Sequence, residues 1–143
     1  MKRLPVSTPR PILALILALT AVAVGFAGVP AVTPEVAARL VSEGKAALVD
    51  VREPSEWAKS GVAAPALLLS KSDFEGAKRD WAPFLENVGQ KQVIVYCRSG
   101  RRSEVVAAAL AKEGINVANA GGFAAWKAAG LPIRDANQPP ASK

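Results

Sequence analysis

The chain has 143 residues, enough for one domain with an ordinary core, and its 18 basic and 12 acidic side chains give a formal charge of +6. One cysteine and no histidine exclude an internal disulfide and a Cys–His catalytic pair, and leave no residues suited to a zinc site. Nucleic acid is not indicated as a partner, because the charges are interspersed with acids except in one basic cluster at Arg98, Arg101 and Arg102.

Met1-Lys2-Arg3 and Arg10 make a positive start, and the eighteen residues from Ile12 to Val29 carry no charge. This is the pattern of an export signal, and Val29-Pro30-Ala31 places small residues ahead of a cut after Ala31. Residues 1–31 are therefore expected to be a signal peptide, residues 32–134 the folded domain and residues 135–143 a flexible tail. The setting expected for the domain is the periplasm. The rival is an uncleaved anchor holding the domain outside the cytoplasm, since about eighteen apolar residues just suffice to cross a bilayer; only then would a membrane be a partner. Cleavage would take Lys2, Arg3 and Arg10, so half of the formal charge belongs to targeting.

Thr33-Pro34-Glu35 predicts a helix start, with an N-cap hydroxyl, proline in the first turn and an acid near the positive dipole end; Gly44 ends it. Ala47–Val51 reads as a strand, Glu53–Trp57 as the opening of a short helix that ends near Gly61, and Ala66–Leu69 as a brief apolar strand. The polar stretch from Asp73 to Asn87, broken by Gly76 and Pro83, predicts one or two short helices. Val93–Tyr96 is a β-branched, buried strand. A helix over Glu104–Lys112 follows, closed by Gly114, then a strand over Ile115–Asn119. Gly121-Gly122 is expected to turn tightly into a last helix, Phe123–Ala129, capped by Gly130. Strands alternating with helices predict an α/β fold with an open, largely parallel sheet and helices on both faces. Ligands of such sheets sit beyond the carboxyl ends of the strands.

Cys97 falls at such an end, between the apolar strand and Arg98-Ser99-Gly100-Arg101-Arg102-Ser103. Backbone N–H groups at the start of the next helix point back at this loop. The thiolate is the reactive form of cysteine, and cations and helix N-termini lower its pKa from about 8.5. The bland reading of a lone cysteine at a strand end is a small buried apolar residue; three arginines within five positions favour the nucleophile. Arg98 and Arg101 are expected to contact substrate, while Arg102 either does so or braces the loop. Ser99 and Ser103 can donate hydroxyl hydrogen bonds, and Ser103 is also an N-cap candidate. Gly100 serves backbone geometry. Trp57, Trp81 and Trp126 read as core or rim packing.

Three ordered stretches together resemble the rhodanese family of single-domain sulfurtransferases. They are Leu48 to Trp57, Val93 to Ser103, and Gly121-Gly122-Phe123 with Trp126 and Leu131-Pro132. The resemblance spans roughly Thr33 to Ile133. It departs from the family at Gly61-Val62-Ala63-Ala64-Pro65-Ala66, where Gly-His-Ile-Pro-Gly-Ala is common. The resemblance implies a rhodanese-like fold and transfer of a sulfane sulfur from a small anionic donor such as thiosulfate to a thiol or cyanide, through a persulfide on Cys97. It implies Arg98, Ser99, Gly100, Arg101, Arg102 and Ser103 as substrate-binding residues. Asp50 and Arg52 resemble family residues beneath and beside the pocket, and an ion pair is their expected role. No cofactor or metal is implied.

A cysteine-phosphatase loop has five residues between cysteine and arginine. Here Arg102 is the fifth residue after Cys97, so the ring is one residue short and suits a single sulfur better than a phosphoryl group. Arsenate reduction would need further cysteines. A non-catalytic binding module of the same fold is the alternative from a different class, because fold does not determine function.

Overall fold

The computed structural model describes residues 28–141, so the positive start and nearly all of the apolar run, with the signal-peptide reading placed on them, lie outside the described residues. The elements in chain order are α1 Pro34–Ser42, β1 Ala46–Asp50, α2 Pro54–Ser60, β2 Val62–Ala63, β3 Leu67–Leu68, α3 Lys71–Glu75, α4 Trp81–Asn87, β4 Gln92–Cys97, α5 Arg101–Lys112, β5 Val117–Gly122, α6 Phe123–Ala128 and β6 Ile133–Arg134. Strands β3, β1, β4 and β5 form, in that order, an all-parallel sheet. Strands β2 and β6 make a separate antiparallel pair.

Side chains alternate across a strand, and the two central strands are buried on both sides. On β4, Val93, Val95 and Cys97 join a core under α3, α4 and α5, with Phe74, Trp81, Val106 and Leu110. Ile94 and Tyr96 join the opposite core, with Ala37 of α1 and Phe123 and Trp126 of α6. Helix α5 contributes Ser103, Val106, Ala107 and Leu110, the single stripe expected from a 3.6-residue period.

Local chemistry accounts for the element ends. Thr33 caps α1 by accepting from the Val36 N–H at 3.3 Å, with Pro34 in the first turn. Glu53 and Glu56 form a reciprocal capping box at the start of α2. Two boundaries differ from the sequence reading. Helix α5 starts at Arg101 rather than Glu104, because Gly100 adopts φ 94° and serves as the N-cap; Ser103 lies inside the helix and does not cap it. Strand β5 runs on through Gly121 and Gly122, so the glycines are the strand's end rather than a turn beyond it.

Ahead of α1, the backbone at Ala31 bridges in parallel to Asn119 on β5. The Asn119 N–H donates to Pro30 O at 2.9 Å, and the Val32 N–H donates to Asn119 O at 3.0 Å.

The short β2–β6 pair gave no signal in the sequence, and it explains how the unusual stretch after Gly61 packs. Arg134 is buried without a carboxylate partner among the described residues. Its guanidinium instead donates to Ala64 O at 3.0 Å, Ala66 O at 2.6 Å and Gln138 O at 2.6 Å, and the Ala141 N–H donates to Ala64 O at 3.0 Å. One arginine thus ties residues 135–141, the described part of the stretch read as a tail, to the body. Charge-assisted hydrogen bonds contribute about 1.5–3 kcal/mol. Arg134→Ala is expected to lower the unfolding free energy by about 2–3 kcal/mol in urea titration, with tail residues becoming protease-sensitive before the sheet opens.

Candidate active site

Strand β4 delivers Cys97 to the carboxyl edge of the sheet, where the chain crosses residues 98–100 and enters α5. Cys97 is 1 % exposed. The Gly100 N–H donates to its Sγ at 3.1 Å, and the Ser103 hydroxyl lies 3.5 Å from the same sulfur. Burial pushes the thiol pKa up, but hydrogen bonds from the Ser103 hydroxyl and from the N–H groups of Ser103, Ser99 and Gly100 outweigh it, leaving the pKa below the ordinary value. The Ser103 hydroxyl makes the largest of these stabilising contributions and the backbone N–H groups follow it, while the Arg102 guanidinium and the sulfur's negative charge also attract one another.

Two glycines allow the loop to close. A Cβ on Gly122 would lie 2.6 Å from Arg98 O, and one on Gly100 would lie 3.3 Å from Gly121 Cα. The loop therefore packs backbone against backbone on the end of β5. Asn119, not singled out from the sequence, fastens the same contact. Its Nδ2 donates to Gly100 O at 3.1 Å, and its Oδ1 accepts from the Gly121 N–H at 3.0 Å and lies 2.8 Å from the Ser103 Oγ. The available signal was an asparagine in a strand, where its propensity is poor.

The arginines divide. Arg102 turns away from the sulfur and pairs with both carboxylate oxygens of Glu56 at 2.6 and 2.8 Å. That hydrogen bonding holds the Glu56 pKa down at about 2, so the pair stays charged at neutral pH. Of the two roles open to Arg102 in the sequence, the geometry matches bracing. Arg98 is exposed and borders a cleft of about 400 Å³, together with Arg52, Glu56, Lys59, Phe123 and Lys127. Arg101 is exposed in the first turn of α5, outside that lining. Ser99 is exposed on the loop.

Asp50 and Arg52 lie on the far side of the sheet from Cys97. Arg52 Nη2 donates to Asp50 Oδ2 at 2.6 Å, the Tyr96 hydroxyl donates to the same oxygen at 2.6 Å, and Arg52 also donates to Ser60 Oγ and Gly61 O, each at 2.8 Å. The Ala63 N–H donates to the Tyr96 oxygen at 3.0 Å. Burial, joined by the Asp50 carboxylate, pushes the Tyr96 pKa above its ordinary range, so this hydroxyl remains a donor. The Arg52 guanidinium carbon sits 4.3 Å from the Phe123 ring centre, which links β1 to α6 and makes the cleft floor rigid. Trp81 and Trp126 are core residues, while Trp57 is half-buried with its Nε1 unpartnered. Among the described residues, no His, Cys, Asp and Glu cluster could hold a metal ion, and no helix is long and apolar enough to cross a membrane.

A four-stranded parallel α/β sheet with a buried cysteine at a central strand's carboxyl end is the architecture of rhodanese-like domains. The chain belongs to the rhodanese-like domain family, whose profile matches residues 33–129. A rhodanese-like domain protein from Staphylococcus aureus is 27% identical, with 73% of this chain and 98% of that one covered at a TM-score of 0.57. The polysulfide-sulfur transferase homodimer of Wolinella succinogenes is 26% identical over 76% of this chain and 80% of its own, with a TM-score of 0.60. A protein of unknown function from Rhodopseudomonas palustris, called a possible tyrosine phosphatase, is 28% identical over 74% and 85%, with a TM-score of 0.62.

The direction of the Cys97 shift has a consequence for stability. A thiol whose folded pKa is depressed contributes stability that is fully present above the unfolded pKa of about 8.5 and is lost as pH falls through the folded value. The difference in unfolding free energy between the wild type and Cys97→Ser should therefore widen in favour of the wild type as pH rises through that window, then level off. Chemical denaturation at a series of pH values checks it, and a pH-independent difference would contradict the depressed pKa.

Proposed function

We propose that the protein is a sulfurtransferase that carries a sulfane sulfur on Cys97. The observation that supports this most is a thiol with a depressed pKa held by backbone N–H donors, since a nucleophile without a histidine must already be ionised. The Cys97 thiolate attacks the outer sulfur of a donor such as thiosulfate. The new Sγ–S bond forms as the donor's S–S bond breaks, and sulfite leaves with the bonding pair. A thiolate or cyanide acceptor then attacks the outer sulfur of the persulfide, and Cys97 departs as the thiolate. The N–H donors that hold the thiolate also suit the anionic persulfide, with no reorganisation between the two. The Wolinella relative's sulfur-transfer name points the same way.

The cleft beside Arg98 is the approach for anionic substrates in this reading. Arg52 is neutralised by Asp50, and Glu56 by Arg102, which leaves Lys59, Arg98 and Lys127 to set its charge. The phosphatase reading fares worse: only four residues separate Cys97 from Arg102, and that arginine is already engaged by Glu56. The leader reading at residues 1–31 supports a setting outside the cytoplasm.

Intact mass decides the central step. The protein incubated with thiosulfate is expected to gain the mass of one sulfur atom and to lose it on adding cyanide, whereas Cys97→Ser, still folded by circular dichroism, gains nothing. Sulfur transfer retained by Cys97→Ser would overturn the persulfide mechanism, and a wild type that takes up no sulfur from thiosulfate or an organic persulfide would leave the binding module as the better reading.

The cationic approach makes a separate prediction. Arg98→Ala should reduce kcat/KM for thiosulfate about tenfold, the loss of one charge-assisted contact, and affect an uncharged persulfide donor less. Equal losses with both donors would assign Arg98 to loop shape rather than donor binding.

A further inference from the structure

The Ser103 hydroxyl has one proton and three acceptors within reach: Asn119 Oδ1 at 2.8 Å, Gly100 O at 3.0 Å and Cys97 Sγ at 3.5 Å. Gly100 O already accepts from the Glu104 N–H at 3.0 Å and from Asn119 Nδ2 at 3.1 Å, which fills its two lone pairs. Asn119 Oδ1 accepts from the Gly121 N–H and has one lone pair left. The carboxamide therefore does two things at once. Its amide end holds Gly100 from the carbonyl side, at the residue whose own N–H meets the sulfur. Its oxygen end joins Gly121, and through it the end of β5, to the same residue.

Asn119 is itself held from behind. Its backbone N–H and C=O are both bonded by the segment at Pro30 and Val32, and Val95 faces it across the sheet. A residue whose backbone is fixed on both sides has little freedom, and what its side chain clamps inherits that rigidity. Gly100 needs such help, because its left-handed backbone and missing Cβ leave it free to open.

We propose that Asn119 is the positioning residue for Cys97, holding the Gly100 peptide so that its N–H stays on the sulfur and the thiolate stays favoured. This rests on the reading of Cys97 as a nucleophile and adds the residue that keeps it ionised. Asn119 touches neither sulfur nor substrate in this arrangement. It acts through Gly100.

The test is a pH titration of thiolate ultraviolet absorbance on the whole chain, unambiguous because Cys97 is the only cysteine, with the Cys97→Ser spectrum subtracted. Asn119→Ala, compared in a Ser103→Ala background so that no hydroxyl released from Asn119 Oδ1 can turn to the sulfur, is expected to raise the midpoint by about one pH unit, the size of one lost hydrogen bond to a charged group, and to move the acid limb of kcat/KM for sulfur transfer upward by the same amount. Asn119→Asp keeps an acceptor for Gly121 and Ser103 but has no donor for Gly100 O, so it should be raised at least as far. A midpoint in the double variant within experimental error of that of Ser103→Ala alone, with the fold retained, would overturn the proposal. Were Asn119→Ala unable to fold, a wild-type midpoint in Asn119→Asp would overturn it equally, since the acceptor role alone would then suffice. The titration needs no sulfur donor. A raised midpoint in a protein that transfers no sulfur would refute the proposed function while leaving this inference standing.

Discussion

Consecutive residues at the end of β4 face opposite sides of the sheet, and most of the architecture follows from that constraint. Cys97 points into the core beneath α5, and Tyr96 points into the core against α1 and α6. The strand must be buried on both sides for either to work. On one side, burial shields the sulfur and makes each backbone donor more effective. On the other, it lets Tyr96, Asp50 and Arg52 form a paired and hydrogen-bonded cluster with nothing exposed but the cleft-facing edge of Arg52. A buried ion pair offers little net stability, yet breaking one is expensive. Its value here is directional: Arg52 joins β1, α2 and Phe123 of α6, and so positions one wall of the cleft relative to the loop that carries the nucleophile.

Helix α5 opens with two arginines ahead of the acid in its first turn, Glu104, although cations are disfavoured at a helix N-terminus. Local rules broken in this way concentrate at sites with another purpose. Glu56 offsets one of the two charges through its bidentate pair with Arg102, and it comes from α2, where it also completes the capping box. Glu56 therefore couples the start of one helix to the start of another across the mouth of the site. Its low pKa is the signature of that double duty rather than of catalysis.

Much of this was legible in the residues. The apolar β4 run, the lone cysteine and the arginine-rich segment after it pointed to a nucleophile in a loop, and alternating strands and helices pointed to the parallel sheet. The family profile and the sheet order agree with that expectation. What could not be read were relationships between distant segments. Nothing near Arg134 indicates that it will bond to the carbonyls of Ala64 and Ala66, because those groups carry no residue-specific signal. The Glu56–Arg102 pair joins residues 46 positions apart, and Asn119 looks like an ordinary polar residue until the loop is laid against it. The early start of α5 was missed for a local reason: serine at position 103 resembled a cap, while the cap in use is a glycine in a left-handed conformation, which has no side chain to signal it.

The site separates two kinds of positive potential that the sequence presents as a single basic cluster. Backbone N–H groups around the sulfur are fixed dipoles, buried and already oriented, and their stabilisation of an anion is insensitive to salt and costs no reorganisation as charge moves from thiolate to persulfide. Lys59, Arg98 and Lys127 are mobile, solvated charges that border the cleft. Such charges raise encounter rates with anions and are screened within about 8–10 Å at physiological salt. In the proposed reaction, the chemistry would draw on the first set and the capture of an anionic donor on the second. An increase in ionic strength should slow the capture of an anionic donor while leaving the thiol titration nearly unmoved, which follows from where each charge sits.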